Sequence, residues 1–97
     1  MKRVKLTVAY DGTDYCGWQI QPNGITVEEV LNKALSELTG ETIRVIGASR
    51  TDAGVHAKGN VAVFDTESPI PSDRIAYAAN RLLPEDIVIV RSEEVET

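Results

Sequence analysis

Residues 42–66 read TIRVIGASRTDAGVHAKGNVAVFDT, and this stretch decides the fold. Ile43, Val45 and Ile46 predict a strand over about residues 42–48, and Val61, Ala62, Val63 and Phe64 predict another over about 59–66. No helical period separates them. The connection is longer than a hairpin needs, and loops of that size are often functional. Joining two successive strands, its tip projects from one end of a sheet.

Upstream, residues 4–10 alternate, with Val4, Leu6 and Val8 on one side and Lys5, Thr7 and Ala9 on the other, which is the period of a half-buried strand. Asp11-Gly12 is a turn signal. Residues 11–25 then read as an irregular loop. Thr26 with Glu29 three residues on forms a capping box, flanked by Ile25 and Val30 at the positions of a hydrophobic staple. Val27, Val30, Leu31, Ala34, Leu35 and Leu38 follow helical spacing, and Gly40 suits the stop. Downstream, Pro69 and Pro71 lead to Ser72 as N-cap. Ile75, Ala78, Ala79 and Leu82 make a second apolar stripe, which Pro84 stops. The β-branched run Ile87 to Val90 predicts a buried strand. The order strand–helix–strand–strand–helix–strand is the split βαβ, or ferredoxin-like, pattern. The expectation is an α+β fold (βαββαβ), a four-stranded antiparallel sheet with both helices on one face. The other sheet face needs a cover, a partner or a ligand.

The 97 residues support one domain. With 42% hydrophobic and 26% charged residues the composition is that of a globular chain, not a disordered one. No apolar run approaches the roughly 20 residues of a membrane helix, and Lys2, Arg3 and Lys5 are followed by alternation, not by the apolar core of a signal peptide. Cys16 is the single cysteine, which excludes an internal disulfide and a multi-cysteine zinc site and points to the cytoplasm. The net charge of -5 counts at first against a nucleic-acid partner. It is unevenly spread: residues 1–60 carry seven bases and seven acids, and the whole excess lies in residues 61–97, as expected of a solvated face and tail.

The 48–58 connection concentrates Ser49, Arg50, Thr51, Asp52 and His56. Asp52 is available as a nucleophile or general base, and Arg50 two residues earlier would favour its ionised form. The structural alternative is a surface turn, with Asp-Ala-Gly bending the chain and Arg50 as an ion partner. His56, the only histidine, has no second ligand at metal spacing, which leaves a polar structural role or a phosphate contact. A Ser49–His56–Asp52 relay is formally available, but one short loop rarely folds three side chains into one. A second cluster, Tyr10 to Pro22, holds Tyr10, Tyr15 and Trp18, three of the five aromatics, with Gln19 and Gln21. It reads equally as a base-stacking surface or as a packed loop anchored on the core by Trp18. Asp11 and Asp14 beside Gly12 make turns more readily than a cation site.

Together these segments resemble the tRNA pseudouridine synthase A family. Tyr10-Asp11-Gly12 followed by Tyr15, Gly17, Trp18, Gln19 and Gln21 looks like its first motif, and Arg50-Thr51-Asp52-Ala53-Gly54-Val55-His56-Ala57 looks like its catalytic motif. Asn80, Leu83-Pro84 and Asp86-Ile87 also fit. The resemblance implies isomerisation of uridine to pseudouridine in the anticodon stem-loop of tRNA, with Asp52 as the essential carboxylate. Arg50, Thr51, His56 and Lys58 would contact the RNA. Arg50 would help hold the target base outside its stack, since the glycosidic carbon is otherwise buried in a helix. No metal or organic cofactor is implied.

Ile20 departs from the family's basic residue between two glutamines, and Glu28 from a glutamine, a change that suits a helix start. The chain is also short for the family, whose members carry a second, similar domain and are usually homodimers. The resemblance therefore implies one N-terminal domain of a two-domain enzyme, inactive alone and a weak binder of tRNA by itself. The competing reading is a non-catalytic ferredoxin-like module that binds RNA or a small ligand. RNA-recognition modules place several aromatics on their central strands, whereas strands one and three here offer Tyr10 and Phe64.

Overall fold

A computed structural model of the chain describes residues 1–15, 17–18, 24–47 and 57–96, with the backbone alone for Ala57 and Lys58. The elements in order are β1 (Lys2–Tyr10), a 3-10 turn (Gly12–Asp14), α1 (Val27–Thr39), β2 (Ile46–Gly47), β3 (Ala57–Thr66), α2 (Ser72–Asn80) and β4 (Ile87–Val95). The strands lie in the order β2-β3-β1-β4 and every neighbouring pair is antiparallel. This is the α+β ferredoxin-like arrangement expected from the element order.

The core is the layer between one sheet face and the two helices. Val4, Leu6 and Val8 of β1 point into it, joined by Ala62 and Phe64 of β3 and by Ile87 and Ile89 of β4. Val27, Leu31 and Leu35 of α1 and Ile75, Ala76 and Ala79 of α2 close it from the other side. The Thr26 hydroxyl caps α1 by accepting from the Glu29 N–H at 3.3 Å, and Gly40 ends it in the left-handed conformation at φ 72. Ile25 remains 58% exposed, so the expected staple adds little burial to this cap.

Four expectations need correction. The strand expected over 42–48 is β2, Ile46–Gly47 only. Ile43 and Val45 are buried as the alternation requires, but their N–H groups bond to α1, not to β3: Ile43 donates to Ser36 Oγ and Val45 to Asn32 Oδ1, both at 2.8 Å. Backbone spent on helix side chains is unavailable to a ladder. Ser72 is the first helical residue of α2 and Pro71 its N-cap, because the Pro71 carbonyl already accepts from the Arg74 N–H at 2.9 Å, and no side chain caps this end. Leu82 lies beyond the helix and is half-exposed, while Leu83 packs against the core in its place. β4 is not buried on both faces. Ile87 and Ile89 face the core, whereas Val88 and Val90 are 44% and 61% exposed, because both helices cover the same side.

The open face therefore carries Ile46, Val88 and Val90 as exposed apolar side chains. Beside them, Arg3 pairs with Asp65, and Lys5 and Arg91 both reach Glu93. Each partner strand of β1 gains a residue near the upper end of the sheet. The β1–β3 register shifts between Val8 and Tyr10, and the β1–β4 register between Thr7 and Val8. Such bulges re-aim a strand where pairing ends. No described helix is long and apolar enough to cross a membrane.

Candidate functional site

At one end of the sheet β1 ends at Tyr10, β4 begins at Ile87 and β3 begins at Ala57, the last residue of the second motif. Segment 48–56 connects Ala57 to Gly47 of β2, which pairs farther along the sheet with Ala62, the partner of Leu6. Ala57 is the register partner of Tyr10, so one foot of the segment stands opposite the first residue of the first motif.

The first motif is fixed to this end from three directions. Asp11 starts a tight turn, its Oδ1 accepting from the Thr13 N–H at 3.0 Å and from the Thr13 hydroxyl at 2.5 Å. The Asp11 N–H donates to the Asp86 carbonyl at 2.9 Å, and the buried Tyr15 hydroxyl donates to Asp86 Oδ1 at 2.6 Å. Burial first, then the bond to Asp86 and the charges of Asp86 and Asp14, push the Tyr15 phenol far above its ordinary value. The third tie is to α1. The carbonyls of Gly17 and Trp18 accept from the N–H groups of Val27 and Glu28 at 3.1 and 3.0 Å. With Thr26 serving Glu29, the first three helical N–H groups all have partners.

Trp18 is 1% exposed, and its ring lies 5.9 Å from that of Tyr10, tilted by 34°. Its other face of contact is Gly47. A β-carbon built on Gly47 would collide with Nε1 of the indole and lie 2.7 Å from Cε2, closer than real β-carbons approach, with Cζ2 tight at 3.1 Å. Gly47 is thus the residue that lets β2 run flush against Trp18. Tyr10, Tyr15 and Trp18 are all buried, so these three rings pack into the core and offer no open face to a base.

Of the site residues expected from the sequence, Arg50, Thr51, Asp52 and His56 lie outside the described residues, as do Cys16, Gln19, Ile20 and Gln21. Lys58 lies at the start of β3, within the register shift between Ala57 and Asn60 opposite β1. Among the described residues no group of three His, Cys, Asp or Glu could hold a metal ion.

The profile of the tRNA pseudouridine synthase family matches residues 6–97, which takes in both motifs. The chain belongs to the tRNA pseudouridine synthase family. Relatives named tRNA pseudouridine synthase A are similar over nearly all of it. That of Ruminiclostridium cellulolyticum is 61% identical over 95 residues, 98% of this chain and 39% of the relative. That of Acetivibrio thermocellus is 57% identical over 96 residues, 99% of this chain and 39% of the relative. That of Clostridium kluyveri is 53% identical over 97 residues, 100% of this chain and 40% of the relative. The chain thus spans about two-fifths of the length of these curated relatives.

Two features of this end of the domain escape the sequence reading. Asp86 fits the family pattern, but nothing local signals that it accepts from Tyr15, 71 positions away. Gly47 reads as an ordinary loop glycine. Its only sequence signal is its place between a β-branched run and the polar motif, where a close approach of backbone favours glycine.

Proposed function

We propose that the chain is the N-terminal domain of an enzyme that converts uridine to pseudouridine in the anticodon stem-loop of tRNA, with Asp52 as its essential carboxylate. The observation that carries this reading is the family match over residues 6–97, which includes the intact run Arg50 to Ala57. The reaction is an isomerisation. The bond from C1′ of the ribose to N1 of the uracil breaks, the base turns, and C1′ bonds to C5. The proton leaving C5 is balanced by one gained at the freed nitrogen, so no oxidant, reductant or co-substrate is consumed.

Asp52 fits as the group that assists glycosidic cleavage, by adding to the sugar or by removing a sugar proton. Arg50, Thr51, His56 and Lys58 serve as RNA contacts, Arg50 holding the extruded base. The anchoring of Gly47 and Ala57 supports the reading, because a catalytic carboxylate needs a rigid base from which to be aimed. The acidic chain depends for tight tRNA binding on the remainder of the longer protein, a second domain and its dimer partner, acting in the cytoplasm.

The binding-module alternative is disfavoured by the burial of Tyr10 and Phe64 in the core, which leaves neither strand aromatic on the open face to stack on a base. The test is pseudouridine formation by the full-length protein carrying Asp52→Ala. Loss of turnover with tRNA binding retained is expected, and wild-type turnover would sink the assignment. The 97-residue chain alone is expected to show no turnover.

A further inference from the structure

We infer that Trp18 is a positioning residue for the reaction: one indole sets both points at which segment 48–56 is attached to the sheet. The inference rests on the reading of Asp52 as the essential carboxylate, because that segment carries it. Gly47, the outgoing attachment, lies directly against the indole edge, within the distance at which any β-carbon would collide with Nε1 and Cε2. Ala57, the returning attachment, pairs with Tyr10, whose ring packs on the same indole with centroids 5.9 Å apart.

The indole is itself held as part of the framework. It is 1% exposed, its carbonyl accepts from the Glu28 N–H, and the preceding carbonyl accepts from the Val27 N–H, so it is anchored to the first turn of α1. A shift of Trp18 relative to the sheet therefore moves the Gly47 end directly and the Ala57 end through Tyr10. A misplacement of about 1 Å far from the chemistry can lower a rate by about a hundredfold. That is the scale at which a methyl group forced between Gly47 and the indole would act.

The test is made in the full-length protein with Gly47→Ala, Trp18→Phe and the pair Gly47→Ala/Trp18→Leu, measuring kcat and KM for tRNA beside the thermal melt of each variant. Gly47→Ala is expected to lower kcat by about tenfold to a hundredfold with KM changed less than about twofold. The added Trp18→Leu removes the atoms the new methyl group meets together with the indole itself, so the pair is expected to be no slower than Gly47→Ala alone. Trp18→Phe keeps an aromatic core without the indole edge. It is expected to lower kcat by about fivefold at unchanged KM, so it decides the matter even where Gly47→Ala fails to fold. A purely structural role predicts lower melting temperatures with wild-type kcat per folded molecule, and that result would overturn the inference. So would losses that multiply in the double variant. Asp52→Ala is assayed alongside. Wild-type turnover there defeats the reading of Asp52, whereas an inactive Asp52→Ala with a fully active Gly47→Ala and Trp18→Phe defeats the positioning role alone.

Discussion

The Tyr15 hydroxyl donates to Asp86 Oδ1 at 2.6 Å, across 71 positions of sequence, and so ties the first motif to the residue that immediately precedes β4. The Asp11 N–H bonds to the carbonyl of the same aspartate at 2.9 Å. Asp86 is therefore a shared anchor for both ends of the tight turn over Gly12–Asp14.

This anchor has a pH signature. The folded phenol is held far above its ordinary value of 10.0, by burial first and by Asp86 second. A group whose folded value is raised contributes its full stability below the unfolded value and loses it as pH rises toward the folded one. Stability is thus expected to fall above about pH 10 as the unfolded phenol ionises and the folded one does not. Tyr15→Phe is expected to cost about 1 kcal/mol at neutral pH and to flatten the alkaline decline. Urea unfolding at pH 8 and pH 11, followed by the fluorescence of the single tryptophan, checks both. Equal alkaline slopes in the two proteins would contradict the assignment.

Two polar side chains hold α2 against the edge strand β4, and they are expected to differ in worth. Asn80 forms a pair of bonds to the backbone of Ile89, donating to its carbonyl at 2.9 Å and accepting from its N–H at 2.8 Å. Ser92 Oγ sits between the Ser72 carbonyl, at 2.6 Å, and the Ala76 N–H, at 2.9 Å, two groups one helical turn apart. In Ser92→Ala those groups can close the ordinary helical bond, so the expected loss is under about 1 kcal/mol. In Asn80→Ala the Ile89 groups lose both partners, and the expected loss is about 1–3 kcal/mol. Denaturant midpoints that reverse this order would refute the argument.

What the sequence made legible is what short-range chemistry decides. The alternation of Val4, Leu6 and Val8, the Thr26 cap and the Gly40 stop each depend on neighbours within a few residues, and all are found where expected. The length of β2 was not legible, because Asn32 and Ser36 reach across from α1 to bind the N–H groups of Val45 and Ile43. The N-cap of α2 lies one residue before the serine that resembles a cap, because the Pro71 carbonyl accepts from the Arg74 N–H and no side chain is needed there. At the candidate site the run Arg50 to Ala57 stands out by composition alone. The dependence of its attachment points on Trp18 does not, because a glycine lying against an indole leaves no periodic trace.

The diversion of residues 43–45 onto α1 can itself be tested. Asn32→Ala leaves the N–H of buried Val45 without its acceptor and is expected to cost about 1–3 kcal/mol. Asn32→Asp keeps an oxygen at that position and is expected to lose much less. Amide hydrogen exchange at Val45 should accelerate in the alanine variant and stay slow in the aspartate variant. Were Val45 instead protected by β3, both variants would leave its exchange unchanged.

The open sheet face bears on how the isolated chain meets RNA. Three of its described cations, Arg3, Lys5 and Arg91, are already engaged. Arg3 makes two bonds to Asp65, at 2.8 and 3.2 Å, which hold that carboxyl below its ordinary value. Arg91 lies 2.7 Å and Lys5 3.8 Å from Glu93. Exposed pairs of this kind are individually weak, yet a phosphate must displace a carboxylate to use them. With a net charge of -5 as well, the chain alone is expected to bind tRNA with a Kd no tighter than about 10⁻⁵ M at 0.15 M salt, and with a shallow salt dependence. Glu93→Gln removes one carboxylate and releases both Lys5 and Arg91. It is expected to tighten binding severalfold and to steepen the slope of log K against log salt by about one to two units, near 0.9 per phosphate engaged. Fluorescence anisotropy of labelled tRNA across a salt series measures both quantities. Nanomolar binding by the unmodified chain, or a slope that Glu93→Gln leaves unmoved, would show that these cations are not restrained by their partners.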